Sequence, residues 1–496
     1  MPDPEDRSAV EQARRGKLAR LREAGVDAYP VGFRRSHTLA EVRAGWEGLA
    51  GGEESGKVVR IAGRVVLRRA LGRLAFWTVR QLGDELQVML TPEALSADQF
   101  QVAVDLDVGD WVGVEGEVVR TRRGELSVKA TDVFLLAKAL RPLPDKWRGL
   151  VDVEVRSRQR ELDLAVNPAA RAAMLLRSRT VRSLRESMLA RGYLEVETPI
   201  LNPVPGGALA RPFVTHHNAL DTDLFLRVAC ELYLKRLLVG GVERVFELGR
   251  VFRNEGIDAR HNTEFTILES NAAFQDYRDM MELCRGVILE AADAAVGRRT
   301  VSYQGRQVDL DAPWREVTLL QAAREPLGEP DLAYDWPLDR VRAVCDRAVV
   351  PWLPGWGTGK LVLELYEKHA EQRIVQPTFV TDYPVEVSPL AHPHRDDPFV
   401  TERFELIILG REHANCFSEL TDPDEQRARM EEQALAKAGG DEEAMVVDEP
   451  YLRALELGLP PNAGLGIGVD RLVLLLGDLP SIREAMLFPQ LRPEEL

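Results

Sequence analysis

The sequence predicts an α+β protein in which a small N-terminal OB-type β-barrel precedes a large domain of antiparallel strands flanked by helices. Two observations lead to this prediction. Five short β-type runs separated by turns crowd into residues 57–140, as in a small closed barrel. Beyond residue 165, strands and helices follow one another without the regular alternation of a parallel βαβ series. With 496 residues, the chain is long enough for several domains.

The charge balance and the cysteine usage bound the class of protein. The 64 Lys and Arg residues against 79 Asp and Glu give a net charge of −15, which argues against non-specific coating of nucleic acid but permits a local basic face. No apolar run approaches the roughly 20 residues that span a bilayer, and the acidic N-terminus lacks an apolar signal segment. Four cysteines are scattered without paired spacing, as expected in a reducing cytosol. We therefore expect a cytoplasmic protein with no membrane partner.

The N-terminal third divides into a helical extension and the barrel. Residues 1–56 form the extension, with an amphipathic helix expected near 8–24, and residues 57–140 form the predicted OB-fold domain. The barrel is built from five predicted strands with one helical piece after the third: Val58–Val66, Leu74–Val79, Glu85–Leu90, Pro92–Val104 (helical), Trp111–Val119 and Glu125–Val133.

A cluster of basic and aromatic residues marks the start of the barrel. Its arginines are Arg60, Arg64, Arg68, Arg69 and Arg73, and the aromatic pair Phe76 and Trp77 follows at once. Basic side chains beside aromatic ones can bind phosphates while stacking unpaired bases. The alternative is that one of the two aromatic side chains simply fills the barrel core, since they alternate across a strand.

A linker at 141–165 separates the barrel from a predicted catalytic domain at 166–496, which carries an insertion at about 310–357. The domain contains a hairpin at 245–269 with Arg253, Arg260 and His261 in its loop. A planar guanidinium suits phosphate oxygens, and Glu255 can orient an arginine or accept from an amine. Alone, such a loop would be a solvated, salt-bridged hairpin.

A second candidate ligand-binding segment lies near the C-terminus, where the run GLGIGVDR at 464–471 leads into a helix. Glycines permit close approach of the backbone to a ligand, and Arg471 at the helix start can reach a phosphate or stack on a purine. The run lacks the remainder of a P-loop or of a dinucleotide fingerprint. Close glycine packing between strand and helix is the alternative.

Three signals in this order resemble motifs 1, 2 and 3 of the class II aminoacyl-tRNA synthetases: a strand ending at Pro199, the arginine-bearing hairpin, and the glycine-rich strand and helix. Within that class, longer runs resemble the lysyl-tRNA synthetases over most of the chain. These runs are LRPLPDKWRGLVDVE (140–154), RQRELDL (158–164), PGGALARPFVTHHNALD (205–221), ELYLKRL (231–237), DYPVEVSPLA (382–391), TERFEL (401–406) and FSELTDP (417–423).

The resemblance implies that lysine and ATP give lysyl-adenylate and pyrophosphate, and that lysine then passes to the 3′ end of tRNA-Lys. Because the lysine carboxylate is already a nucleophile, this chemistry needs alignment with the α-phosphate and charge neutralisation, not a general base. The implied catalytic residues are Arg253, Glu255 and Arg471. The implied ATP-binding residues are Arg253, Glu255, Arg260, His261, Asn262, Phe265 and Arg471. Glu405 and Glu412 match the family's Mg²⁺ carboxylates, and oxygen ligands suit that ion.

For lysine, the resemblance assigns Gly207 and Glu269 to the α-amino group. It assigns the remainder of the substrate to Glu231, Asn415 and Glu419, with Glu419 facing the ε-ammonium. A buried carboxylate opposite an ammonium rejects neutral amino acids, because they would leave its charge unpaired. Asn271 belongs to the predicted lysine-binding set but stands where the family carries a tyrosine.

In the barrel, Arg69, Phe76 and Gln87 match the positions that read the anticodon, and the family implies a homodimer with the Pro199 motif at its interface. Two alternatives stay open. Asn271, together with a barrel turn that reads Arg80-Gln81-Leu82-Gly83-Asp84 where the family has Asp…Gly, would fit a synthetase-like paralogue. It would activate lysine or another amino acid for an acceptor other than tRNA-Lys. A non-catalytic tRNA-binding or regulatory protein with a decayed site is the other. Aspartyl and asparaginyl ligases share the architecture but would need basic groups in place of Glu231 and Glu419.

Overall fold

The computed structural model describes residues 8–71, 74–144, 150–439 and 444–493. The chain divides into two compact units, residues 1–171 and residues 172–496. Part of the predicted linker and the predicted phosphate-binding Arg73 lie outside the described residues. Among the helices that are described, none is both long enough and apolar enough to cross a membrane.

The first unit is a closed five-stranded barrel with helices around it. The strands join in the order β1-β2-β3-β5-β4, and β3 and β5 pair in parallel while the other neighbours are antiparallel. The elements are α1 (Ala9–Glu23), α2 (Leu39–Trp46), β1 (Glu54–Leu71), β2 (Leu74–Gln81), β3 (Asp84–Leu90), α3 (Ala97–Asp105), β4 (Trp111–Arg120), β5 (Leu126–Ala137), α4 (Val153–Arg158) and α5 (Arg160–Val166).

Alternation along the strands explains how the barrel closes. Trp77, Val79, Leu86 and Val88 point inward and are almost fully buried, so the residues between them face outward. The core also takes in apolar side chains of α1 and α2. Helix α1 begins where the Ser8 hydroxyl accepts a hydrogen bond from a backbone N–H of its first turn. Trp77 is therefore the core member of the aromatic pair.

The second unit is built on one large sheet with helices packed against it. Helix α6 crosses the boundary between the two units. The elements are α6 (Pro168–Ala190), β6 (Leu194–Glu195), β7 (Leu201–Asn202), β8 (Val214–His217), β9 (Thr222–Leu226), α7 (Glu231–Val239), β10 (Arg244–Phe252), β11 (Glu264–Ala273), α8 (Tyr277–Val296), β12 (Thr300–Tyr303), β13 (Arg306–Asp309), β14 (Arg315–Thr318), α9 (Leu319–Leu327), α10 (Leu338–Arg347), α11 (Thr358–His369), β15 (Thr378–Thr381), β16 (Arg403–Ile407), β17 (Glu412–Ser418), α12 (Pro423–Ala438), α13 (Glu449–Leu455), β18 (Asn462–Gly468), α14 (Val469–Gly477) and α15 (Ile482–Ala485).

The eight strands of this sheet run in the order β14-β15-β16-β17-β18-β11-β10-β6. All pairs from β15 to β10 are antiparallel, and only the two edge pairs are parallel. Strand β11 lies between β10 and β18, with Glu269 opposite Glu247 on one side and Gly466 on the other. The hairpin and the glycine-rich run, about 200 residues apart in the chain, are thus neighbours. The predicted fold class is confirmed.

Several element boundaries differ from the expectation. The strand before Pro199 is only Leu194–Glu195, because the following chain leaves the sheet and Thr198 instead donates through its backbone N–H to Glu247 (3.0 Å). Glu412 begins β17, the antiparallel strand that follows the strand of Glu405. Part of the insertion, β14 with α9 and α10, packs on α11 around its own apolar core.

Candidate active site

One cavity in the second unit collects nearly every predicted ligand-binding residue. It opens over the central strands β10, β11, β17 and β18. From the predicted sets its lining includes Gly207, Glu231, Arg253, Glu255, Arg260, His261, Asn262, Phe265, Glu269, Asn271, Glu412, Asn415, Glu419 and Arg471. Glu405 is the one predicted residue of this site that is not among the lining side chains.

Arg253 stands where the hairpin leaves strand β10. Its backbone N–H donates to Thr263 (2.8 Å), which ties the two arms of the loop together. The guanidinium lies over the Phe265 ring at 5.1 Å, a cation–π contact. Its Nε and the Oδ1 of Asn262 are buried and make no hydrogen bond within the described residues. Such atoms are costly to leave unpaired and suit a bound polar ligand.

The tip of the hairpin is exposed and irregular. Asp258 organises it, accepting from the backbone N–H groups of Arg260 (2.5 Å) and His261 (2.8 Å) and contacting the His261 ring (2.9 Å). Burial works against ionisation here, but the hydrogen bonds from His261 and from the backbone N–H of Arg260 outweigh it and lower the pKa of Asp258 to about 2. The loop therefore holds its shape while Arg260 is exposed and directed to the cavity.

Arg471 enters the cavity from the first turn of α14. It donates to both the backbone oxygen (2.7 Å) and the carboxylate (2.9 Å) of Glu412. Its neighbour Asp470 is buried, pairs with Arg177 and accepts from the Thr266 N–H at 2.6 Å. These contacts lock the start of α14 against β11, so Arg471 is held in place rather than carried on a mobile side chain.

Acidic groups beside Arg471 repel one another. Burial, and next the charge of Glu412, raise the pKa of Glu405 to about 7, although Arg403 lies 2.7 Å away. Burial and Glu405 likewise raise the pKa of Glu371 to about 8. Burial alone would raise the pKa of Glu412, but Arg471 outweighs it and lowers the value. Like charges held this close are stabilised by a cation.

The opposite end of the cavity is buried. Glu269 of β11 accepts from the Cys230 backbone N–H (2.7 Å) and Sγ (2.8 Å), and burial raises its pKa. Gly207 lies across from it with φ of +88°, and a Cβ there would come within 3.2 Å of Ala229. The positive φ and the close approach to Ala229 therefore favour glycine at this position.

Glu419 is almost fully buried, with 2% of its surface exposed, and lies just beyond β17. Asn271 donates to its Oε1 at 2.9 Å and to Asn462 Oδ1 at 3.2 Å, and Asn462 in turn donates to Pro460. Asn271, the residue that departs from the family pattern, is thus integrated as a donor to Glu419. A Cβ on Gly464 would fall 2.3 Å from Glu419 Oε1.

Several residues of this site were missed from the sequence. Lys235 is fully buried, 2.5 Å from Glu231 and in an ion pair with Glu419. Its position four residues after Glu231 on a predicted helix was a usable signal. Arg403, which bonds Asn415 Oδ1 at 3.0 Å, shares a strand face with Glu405 and was equally accessible to that reasoning. No local pattern singled out Arg177, whose partner Asp470 is 293 positions away.

In the barrel, Arg69, Phe76 and Gln87 share an outer face. Arg69 pairs across the ladder with Phe76, and Gln87 pairs with Thr78, two residues further along β2. Arg69 is exposed. Arg68, by contrast, turns back to donate to the carbonyl of Val104 (2.5 Å), so its guanidinium serves the fold and not the open face.

Comparison with known proteins follows the same division of the chain. A family model described as tRNA synthetases class II (D, K and N) matches residues 152–492. A second model, described as an OB-fold nucleic acid binding domain, matches residues 59–136. Fold and cavity together therefore define a class II tRNA synthetase.

Similar proteins place the chain in one family within this class. Lysine–tRNA ligases of Synechococcus sp. (strain CC9605) and Azoarcus sp. (strain BH72) are each 49% identical, the first over 98% of both chains and the second over 99%. The Bacillus subtilis (strain 168) lysine–tRNA ligase is 44% identical over 97% of both chains. The chain belongs to the lysine–tRNA ligase family, as its motifs predict.

Proposed function

We propose that the protein activates lysine with ATP and then transfers the lysyl group to the 3′ end of tRNA-Lys. One observation carries this proposal: a single cavity has a cationic end built from Arg253, Arg260 and Arg471 and a buried acidic end built from Glu231 and Glu419. A nucleoside triphosphate suits the first end and the ammonium side chain of lysine the second.

At the cationic end, Arg253 contacts the α-phosphate and the lysine carboxylate. Arg260, His261 and Arg471 hold the outer phosphates or the adenine, with Asn262 beside them. Phe265 stacks on the purine, and Glu255 lies near the adenine. The unpaired Arg253 Nε supports the first role. Rate enhancement then arises from holding carboxylate and phosphorus in line and from neutralising charge that develops on the phosphate.

Glu405 and Glu412 would hold Mg²⁺. Within the described residues no three or more His, Cys, Asp or Glu side chains form a metal site on their own, which suits an ion that takes much of its coordination from ATP and water. The raised pKa of Glu405 beside Glu412 supports this assignment, because a divalent ion would relieve their repulsion. When bound, the ion neutralises phosphate charge.

At the acidic end, Gly207 and Glu269 receive the α-amino group. Asn271, Asn415 and Glu231 line the path of the side chain, and Glu419 faces the ε-ammonium. The depth of Glu419 supports its role in selection, because a neutral side chain would leave that carboxylate buried without a ligand cation.

Arg69, Phe76 and Gln87 would read the anticodon. We expect Phe76→Ala to raise the KM for tRNA-Lys by about tenfold, since stacking on an aromatic ring contributes about 1–3 kcal/mol per base. Lysine-dependent ATP–pyrophosphate exchange should be unchanged in the same variant. Loss of exchange, or an unchanged KM for tRNA, would contradict the assignment.

The proposal includes a cytoplasmic homodimer. Ile200 and Leu201 beside the Pro199 motif expose 46% and 47% of their surface, and exposed apolar neighbours suit an interface. Sedimentation of the purified protein at several concentrations tests this part, and a monomer at all of them would contradict it.

The central experiment is ATP–pyrophosphate exchange with each of the standard amino acids, followed by charging of tRNA-Lys. Exchange with lysine and charging of tRNA-Lys are expected. Exchange without charging would favour a paralogue with another acceptor. No exchange with any amino acid would favour a non-catalytic protein.

A further inference from the structure

The acidic end of the cavity contains a cation of its own. Lys235 of α7 is fully buried, with an exposed fraction of 0%. It contacts Glu231 at 2.5 Å and forms an ion pair with Glu419. The side chains of Glu231 and Glu419 line the cavity, whereas Lys235 is not part of the lining. The side chain of Lys235 therefore lies behind the carboxylates that the substrate would contact.

Lys235 changes the net charge that Glu231 and Glu419 present to the cavity. Two carboxylates without Lys235 would present two negative charges to a substrate side chain that carries one positive charge. When both carboxylates are ionised, Lys235 cancels one of them and leaves a net charge of minus one on these three side chains. Buried charges are stable only when paired, so the residual charge is matched by a monocation and by nothing neutral.

The surroundings of Lys235 make it hard to replace. Its Nζ lies 5.4 Å from the centre of the Phe417 ring and 5.9 Å from that of Tyr451. Burial would lower its pKa, but Glu231 and Glu419 reverse that effect and raise it. Lys235 is therefore a permanent cation.

We propose that Lys235 is a positioning and specificity-determining residue, which orients Glu231 and Glu419 and sets the net charge of the pocket that selects a monocationic amino acid. The inference rests on the proposed binding of lysine in this cavity. Asn271 completes the arrangement, because its donation to Oε1 fixes the face of Glu419 opposite Lys235.

The pKa of Glu419 depends on the charge of Lys235, so the pH dependence of lysine binding distinguishes an electrostatic role of Lys235 from a purely structural one. Burial raises its pKa to about 8, Lys235 opposes that rise, and Glu231 adds to it. The other polar side chains at this point are Asn271, Asn462 and Tyr451. Removing the Lys235 charge would move the pKa of Glu419 still higher, so binding of a cation would require a higher pH.

The test uses the full-length protein and three variants: Lys235→Met, Lys235→Arg, and Lys235→Met combined with Glu231→Gln. The KM for lysine, the KM for ATP and kcat are measured by ATP–pyrophosphate exchange from pH 6.5 to 9, with norleucine as the neutral analogue. Thermal unfolding is followed in parallel.

For Lys235→Met we expect the KM for lysine to rise by about 30-fold or more near neutral pH, on the scale of breaking a buried charge pair. The rise should shrink toward pH 9, while the KM for ATP changes less than about threefold. Discrimination against norleucine should fall. Lys235→Arg should stay within about fivefold of the parent, because it keeps the charge. The double variant, which restores a net charge of minus one, should recover part of the lost affinity and of the discrimination.

An unchanged KM for lysine in Lys235→Met, or a rise with no pH dependence, would overturn the inference. If Lys235→Met does not fold, the double variant decides: a lysine preference over norleucine no better than tenfold contradicts charge counting. Absence of lysine-dependent exchange in the parent protein would instead reject the proposed function, so the two failures are distinguishable.

Discussion

The two ends of the cavity solve the problem of binding charge in opposite ways. At the cationic end the loop of the hairpin is exposed, and the Arg253 Nε makes no hydrogen bond within the described residues. At the acidic end Glu419 is 2% exposed, forms an ion pair with Lys235 and accepts a hydrogen bond from Asn271. ATP carries several charges, so the site proposed for it can stay open. Lysine differs from neutral amino acids by one positive charge. Selecting it therefore requires a closed pocket with a defined net charge.

The largest effect is expected from the open end. Arg253→Ala should lower kcat/KM for exchange by about 10³-fold, since one preorganised donor to a developing oxyanion is commonly worth about 10²–10³. Arg244→Ala, at the other end of the same strand, removes a guanidinium that donates to the backbone carbonyl of Arg191. This variant is the matched control and should change little. Binding of tRNA should persist in both. A tRNA-binding defect as the sole consequence of Arg253→Ala would show that the hairpin has another role.

At the closed end, Glu419→Gln should raise the KM for lysine by about 100-fold, because it leaves Lys235 and the substrate ammonium competing for one carboxylate. The KM for ATP should hardly move. Glu432→Gln on the exposed face of α12 is the control. Equal losses for lysine and ATP would mean that the two ends are not separate sites.

Gly464→Ala tests how tightly the closed end is built. The new Cβ would lie 2.3 Å from Glu419 Oε1 and 2.9 Å from Asn271 Nδ2, and overpacking of this kind costs about 1–3 kcal/mol. We expect the KM for lysine to rise by about tenfold while kcat at saturating lysine is retained. Measuring both by exchange, beside the unfolding temperature, separates a shifted carboxylate from a destabilised fold.

The pH dependence of the KM for lysine should give the smallest effect per pH unit. A carboxyl group with a raised pKa carries its charge only above that value, so Glu419 is increasingly protonated as pH falls below about 8. The KM for lysine should therefore rise with falling pH, by at most about tenfold per pH unit. The KM for ATP should not follow the same curve. A lysine KM that is flat between pH 6.5 and 8.5 would show that Glu419 stays ionised throughout.

Much of the fold was accessible from sequence because local patterns are strong in this chain. Alternating apolar residues predict the barrel strands, and the amphipathic helix expected near 8–24 is α1, Ala9–Glu23. The strand before Pro199 is shorter than predicted, since tertiary contacts of Thr198 with Glu247 replace the ladder. The ligand-binding roles stay predictions, but the cavity brings together the residues that the motifs single out.

The sequence by itself determined the family, the order of the two units and which residues are expected to meet ATP and lysine, because motifs are defined by short-range spacing. Only the tertiary structure decided the burial, the pKa and the hydrogen-bond partners of those residues. Glu419 and Asn271 are 148 positions apart, and Arg177 and Asp470 are 293 apart. No local pattern encodes such contacts. Lys235 pairs with both Glu231 and Glu419, and Asn271 donates to Glu419. These contacts follow from the packing of α7 and β11 around the buried carboxylate of Glu419.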